Sequence, residues 1–268
     1  LYYLLSEKAA EVTLSILDEA GNEIRSFGKD EISTERFSAI EGREYAGSQD
    51  TGQPTAGVGK GLNRFIWDMR YPRVSAIPGL PPVVINPIAK PGTYQVRLTV
   101  DGESQTQTFE LKINPNESYT RKETDAKGAA WMALYAKAEE GVQAVIRARA
   151  AKDKVASAIE AAKAGNVDAG KLKALETQGA EIVELCSELE GSLVATGKTL
   201  VQIISEPSRP LAQLTTLHNI MESSEGPPNQ PWRKVFAQIS AAMDGEIAAF
   251  QEKLGPAMAR LEELAPAR

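Results

Sequence analysis

Apolar and polar positions change their period once along this chain: they alternate by two as far as residue 115, and step by three and four from there to the end. The first pattern predicts strands and the second amphipathic helices. Val12, Leu14 and Ile16 form one face of a strand with Thr13 and Ser15 on the other, and Asp18-Glu19-Ala20-Gly21-Asn22 supplies the turn into a return strand over 23–27. Residues 28–60 break the alternation with Gly28, Gly42, Gly47, Gly52, Gly57 and Gly59 and few apolar positions. That composition predicts a long loop, either a flexible insertion or a binding loop.

The stretch Gly59–Pro72 follows, with the densest aromatic content of the first half. Leu62, Arg64 and Ile66 alternate with Asn63, Phe65 and Trp67, which predicts a core strand that Pro72 ends. Pro78-Gly79-Leu80-Pro81-Pro82 reads as a rigid connector and Val83-Val84-Ile85 as a short strand. Residues 93–100 place Tyr94, Val96, Leu98 and Val100 on one face, Asp101-Gly102 carries type I′ turn chemistry, and 104–113 returns with Phe109, Leu111 and Ile113 inward. About seven strands with hairpin turns make an antiparallel β-sandwich of the immunoglobulin type, folding independently over 1–115.

Pro115 ends the last strand, and Ser118, Thr120 and Thr124 are the candidate N-caps of a first helix. Lys127 follows Thr124 at the third position, so no capping box selects among them. Trp131, Tyr135, Ala138, Val142 and Val145 form that helix's seam, and Gly165-Asn166 stops it. A second seam takes Leu172, Leu175, Gly179, Ile182, Cys186, Leu189 and Leu193 and ends near Gly197. A third, short helix carries Leu211, Leu214, Leu217 and Met221, with His218 one step from Leu217 as a packed or partly exposed structural residue. The fourth starts at Pro231, runs through Phe236, Ile239, Met243, Ile247, Phe250, Leu254, Ala257, Leu261 and Leu264, and bends at Gly255-Pro256. Residues 116–268 therefore predict an elongated antiparallel four-helix bundle. The fold class is α+β in two segregated domains.

Charge and composition narrow the function. A net charge of −6 without a basic cluster argues against a nucleic-acid partner. The longest apolar runs, at 1–5 and 200–204, are far short of a membrane span. Cys186 is the single cysteine, so neither an internal disulfide nor a cysteine-based metal site forms. The chain begins in a strand-like run at Leu1 without the basic flank of a signal peptide, and is expected to be a fragment or mature piece of something longer.

Each candidate for chemistry has a plainer structural account. His218 is the only histidine and has no second ligand of its kind. Cys186 lies between Glu184 and Glu188, which do not activate a thiol. Glu139-Glu140 and Glu262-Glu263 are neighbours about 100° apart on solvated helix faces. Asp68 and Arg70 share a strand face and are expected to pair with each other. Tyr2, Tyr3, Tyr45, Tyr71 and Trp232 could stack on sugars, though packing also needs them. The candidate binding residues are Trp67, Asp68, Arg70, Tyr71 and Trp232, with no catalytic, cofactor or metal residue.

The strings VTLSILDEAGNEIRSF, GLNRFIWDMRYP and KPGTYQVRLTVDG, in that order, resemble the FlgD-like immunoglobulin module near the C-terminus of bacterial secreted propeller proteins of the sortilin (VPS10)-like, BNR-repeat glycosyl-hydrolase type. In that family a helical tail follows. The resemblance implies a secreted, periplasmic or cell-surface location and a propeller preceding the module. An Asp-box of the form Ser-x-Asp-x-Gly-x-Thr-Trp is missing here, since Ser15 to Gly21 has the wrong spacing. The expected function is a noncatalytic accessory module acting as spacer, docking surface or oligomerisation element. Its expected partners are the propeller region and other protein surfaces, and it needs no cofactor. The alternative is a carbohydrate-binding module that serves a glycosidase.

Overall fold

The computed structural model describes residues 1–28, 38–40, 43–44, 55–80, 83–115, 119–165, 167–195, 208–224 and 226–265. The fold is α+β, with antiparallel sheets in the N-terminal part and, among the described residues, four helices in the C-terminal part. The strands are β1 (Tyr2–Leu5), β2 (Val12–Leu17), β3 (Glu23–Phe27), β4 (Ser38–Ile40), β5 (Arg43–Glu44), β6 (Gly61–Arg64), β7 (Gly92–Val100) and β8 (Glu103–Leu111). The helices are α1 (Arg121–Ala164), α2 (Ala169–Leu193), α3 (Pro210–Ser223) and α4 (Gln230–Leu264). Chain contacts divide the protein into two compact units: one holds Leu1–Arg73, Asn86–Met132 and Ser224–Pro228, the other Val74–Ile85, Ala133–Ser223 and Asn229–Arg268. The units interleave along the sequence.

In the first unit β3-β2-β7-β8 form one sheet and β1-β6 another. Register follows the apolar rows: Val12, Leu14 and Ile16 of β2 sit opposite Val100, Leu98 and Val96 of β7. A slip by one residue would turn both rows away from the core. The two-residue link between β7 and β8 works because Asp101 (φ 49°) and Gly102 (φ 93°) both take positive φ, as a type I′ turn requires. Asp101 adds a side-chain role, its Oδ1 accepting the N–H groups of Ala10 and Glu11. The core gathers Leu5, Val12, Leu14, Ile16, Phe27, Phe65, Trp67 and Tyr94. Phe27 and Phe65 meet at 4.8 Å between ring centroids, and Trp67 presents its edge to Tyr94 and Phe109.

Three strand expectations need correction. The predicted core strand is shorter: β6 ends at Arg64, although Phe65 and Trp67 stay buried and Ile66 stays out. Met69 at φ 59° turns the chain, and Asp68 Oδ1 accepts the Arg70 N–H, so the ladder stops before Pro72. Residues 83–85 form no strand; Val74 donates to the Ile85 carbonyl instead, and both side chains are buried in the helical unit. Within the predicted loop, β4 and β5 pair, and the Ala56 N–H bonds Gly28 O where the excursion returns. The remaining positions of that loop, 29–37, 41–42 and 45–54, lie outside the described residues.

A capping box does start α1, contrary to the expectation. Thr120 Oγ1 accepts the Glu123 N–H while Glu123 Oε2 accepts the Thr120 N–H, so Thr120-x-x-Glu123, and not the spacing after Thr124, is the signal. Asp168 caps α2 through the N–H groups of Gly170 and Lys171, and Asn229 caps α4 ahead of Pro231. Most predicted seam positions are buried, Leu175, Gly179, Ile182, Cys186, Leu189 and Leu193 in α2 and Ile239, Met243, Ile247, Phe250 and Leu261 in α4, while Leu172, Phe236, Leu254, Ala257 and Leu264 are half-buried. Helix α4 has 35 residues and remains helical through Pro256, about 52 Å at 1.5 Å per residue. Gly179 faces Val155 and Ile159 of α1, and Gly141 faces Met243 and Leu211, so small residues set the close approaches.

Candidate functional site

Of the five residues singled out from sequence, four lie just after β6 and one belongs to the other unit. Trp67 is buried and donates from Nε1 to the Arg70 carbonyl. Asp68 does not wait for the Arg70 side chain. Arg25 on β3 reaches it at 3.2 Å, while Arg70 sends its guanidinium to the Asn86 carbonyl and only its backbone N–H to Asp68. The physical reason is the turn at Met69: with the strand ended, Asp68 and Arg70 no longer project side by side from one face. Tyr71 packs against the core, and burial, then the Asp18 carboxylate, raise its phenol above the ordinary value. Burial also pushes Tyr94 up, to about 12, with Tyr71 and Asp18 adding and Arg121 opposing. Both phenols stay neutral at ordinary pH.

Trp232 is buried in the helical unit, where Nε1 donates to Leu217 O at 3.1 Å and the indole stacks on Phe236. A flat face for a sugar ring is therefore taken up by protein. Tyr3 gives its hydroxyl to Gly57 O, Tyr2 is exposed, and Tyr45 lies outside the described residues.

The remaining titratable candidates are absorbed by the fold. Cys186 is buried and its thiol is pushed up by that burial. His218 is packed rather than partly exposed: it is 1% exposed, with Nε2 3.7 Å from Glu222 Oε2. The apolar face of α3 is one position wider than the Leu211-Leu214-Leu217-Met221 seam and takes His218 in. Glu139 is not a solvated residue either. Its carboxylate accepts the Ser75 N–H at 2.8 Å, the Ser75 hydroxyl at 2.5 Å and Gln143 Nε2 at 2.8 Å. Glu140 and Lys137 form the outward pair, and Lys137 also reaches Asp244 on α4. Glu262 and Glu263 are exposed, as expected.

Two features escaped the sequence. Glu190, 8% exposed, is the centre of an ion cluster in which Arg149 and Lys152 of α1 both meet its carboxylate. Burial raises its pKa, but hydrogen bonds from Arg149 and Lys152 outweigh that and hold it below the usual carboxylate range. The signal available was Glu190 sitting one residue past Leu189 on the α2 seam. The second feature is the outer face of β1 and β6, where Tyr2 lies opposite Arg64 and Leu4 opposite Leu62. Tyr2, Leu4 and Leu62 are 68%, 74% and 71% exposed, and Ile66, two residues past the end of β6, is 59% exposed. Its signal was the unbroken apolar run Leu1-Tyr2-Tyr3-Leu4-Leu5, which leaves no polar face for water.

Among the described residues no group of three or more His, Cys, Asp or Glu side chains could hold a metal ion, and no helix is long and apolar enough to cross a membrane. No family model, curated protein or solved structure matches this chain.

Proposed function

We propose that this chain is a noncatalytic accessory module, an immunoglobulin-like β-sandwich followed by an elongated antiparallel four-helix bundle, that works as a spacer or docking element. The observation that carries this reading is the outer face of β1 and β6, where Tyr2, Leu4 and Leu62 stand more than half exposed on one side of a short sheet, beside Arg64. Monomeric soluble proteins seldom leave such a contiguous face bare, and larger ones mark protein contact sites. The resemblance to FlgD-like modules of propeller proteins supplies the partner class: the propeller region of a secreted, periplasmic or cell-surface parent, or another protein surface. The ionisable groups support the same reading from the other side. Half-buried Glu139 is bonded by Ser75 and Gln143, buried Glu190 is paired with Arg149 and Lys152, and buried His218 lies 3.7 Å from Glu222.

The carbohydrate-binding alternative loses its two indole platforms to packing, since Trp67 and Trp232 are both under a tenth exposed. Screening the full chain on a glycan array, followed by titration, tests the choice. An accessory docking module gives no saturable binding. Saturable binding that Tyr71→Ala abolishes overturns the proposal in favour of the carbohydrate-binding one.

A further inference from the structure

The run Val74–Leu80 has no regular structure of its own, although Val74 and Ile77 are buried and the run belongs to the helical unit. Backbone groups of such a run must find partners outside it. One turn closes locally, Leu80 N–H to Ile77 O around Gly79 at φ 75°. At its start the Val74 N–H bonds the Ile85 carbonyl, and the side-chain contacts that hold the run come from α1. Glu139 takes both the N–H and the hydroxyl of Ser75, Gln143 bonds Ser75 Oγ and Glu139 together, and Arg149 donates to Pro78 O. Ten residues separate Glu139 from Arg149, so the two anchors stand about 15 Å apart along the helix.

We propose that Glu139 and Arg149 form a two-point clasp that seats Val74–Leu80 on α1, and that the clasp opens in acid as a local event before the helices unfold. The run itself contains no titratable side chain. Its hold therefore responds to pH only through the helices. The charged groups near the anchors are few: Tyr135 on α1, whose phenol feels the Glu139 charge, the Lys137–Glu140–Asp244 set shared with α4, and Glu190 of α2 with Arg149 and Lys152. Burial raises the Glu139 pKa, but the bonds from Ser75 and Gln143 outweigh it and leave the carboxyl below its ordinary value. A depressed carboxyl contributes stability that is complete above its unfolded value, about 4.3, and is lost as pH falls through the native one. The Arg149 anchor is a bond to the Pro78 carbonyl and involves no carboxyl. Acid thus releases one anchor and leaves the other. Opening breaks a handful of contacts, whereas melting the helices breaks their whole seam, so the two events separate in free energy.

Hydrogen exchange of the full chain, read by mass spectrometry at pH 7 and pH 4 and corrected for intrinsic rates, tests this. The 74–80 amides should lose up to about threefold in protection at pH 4, the most that a carboxyl with an open-state value of about 4.3 yields there, with the rest of the loss coming at lower pH. Amides of 138–155 should keep theirs. Glu139→Gln should lower the protection of 74–80 already at pH 7 and flatten its pH dependence. Ser75→Ala, a smaller change, should weaken protection while the pH dependence persists through the remaining N–H bond. Loss of protection in 74–80 and 138–155 together at pH 4 overturns the proposal. So does a Glu139→Gln protein whose 74–80 exchange and pH dependence match the parent. Should Glu139→Gln fail to fold, Ser75→Ala decides the question, and unchanged exchange at 74–80 in that variant rejects the clasp.

Discussion

Gly179 and Gly245 offer the same substitution in opposite surroundings. Both lie inside helices, α2 and α4. An alanine at Gly245 meets nothing within 4 Å, so only propensity acts; Gly→Ala in an exposed helix interior stabilises by about 0.8–1 kcal/mol. At Gly179 the new Cβ would stand 2.7 Å from Val155 Cγ1 and 3.2 Å from Ile159 Cδ1. The first contact is more than an ångström inside a comfortable carbon–carbon separation of about 3.8 Å, and Val155, being β-branched, has little freedom at χ1 to retreat. Overpacking of this kind costs about 1–3 kcal/mol. Subtracting the propensity gain leaves Gly179→Ala destabilising by about 0–2 kcal/mol, against a gain of about 0.8–1 kcal/mol at Gly245. Helical circular dichroism during thermal unfolding of the full chain should separate the variants by several degrees, at roughly 2–4 °C per kcal/mol for a unit this size. If Gly179→Ala raises the melting temperature as much as Gly245→Ala does, helices α1 and α2 do not approach each other at Gly179 and the described packing is wrong there.

Phe250 is 3% exposed on the α4 seam, so Phe250→Ala should cost about 3–5 kcal/mol. His218→Ala, expected from sequence to be cheap, should instead cost about 1–3 kcal/mol because the ring is buried, while Glu263→Ala should cost under about 0.5 kcal/mol; thermal melts that rank His218→Ala with Glu263→Ala would contradict its burial. Glu190 has a lowered pKa in the fold, so its contribution is complete above the unfolded carboxyl value and fades as pH falls through the native one. Glu190→Gln should therefore destabilise by about 1–3 kcal/mol at pH 7, discounted for the partly exposed Arg149 and Lys152, and should flatten the acid limb of the stability–pH curve.

Legibility followed period. The helical seams were readable because residues three and four apart share a face over many turns, and α2 and α4 bury or half-bury the positions the spacing picks. The β2–β7 register was readable for the same reason at a period of two. What failed were events without a period. The turn at Met69 takes positive φ at a residue type that seldom adopts it, so nothing before Pro72 announced the end of β6. Asp68 found Arg25, 43 positions away, and Glu139 found Ser75, 64 positions away; such pairings depend on the folded arrangement of the chain. Thr120-x-x-Glu123 differs in kind, since its capping signal is local and present in the sequence, four residues before the Thr124-x-x-Lys127 spacing that lacks it. The exposed Tyr2–Leu4–Leu62 face had half a signal, because alternation tells which side chains share a face and leaves open which face meets water.

The seat of Val74–Leu80 also sets a schedule. Glu139 follows Ser75 by 64 residues, and a ribosome adding roughly 5–20 residues per second needs about 3–13 s to supply it. Arg149, 71 residues behind Pro78, comes later still. For those seconds Val74 and Ile77 are already made and the helix that will cover them is not. The emerging chain therefore offers chaperones a short apolar target that the finished protein hides. Slowing synthesis between residues 85 and 139 would lengthen that exposure without altering any contact in the completed fold.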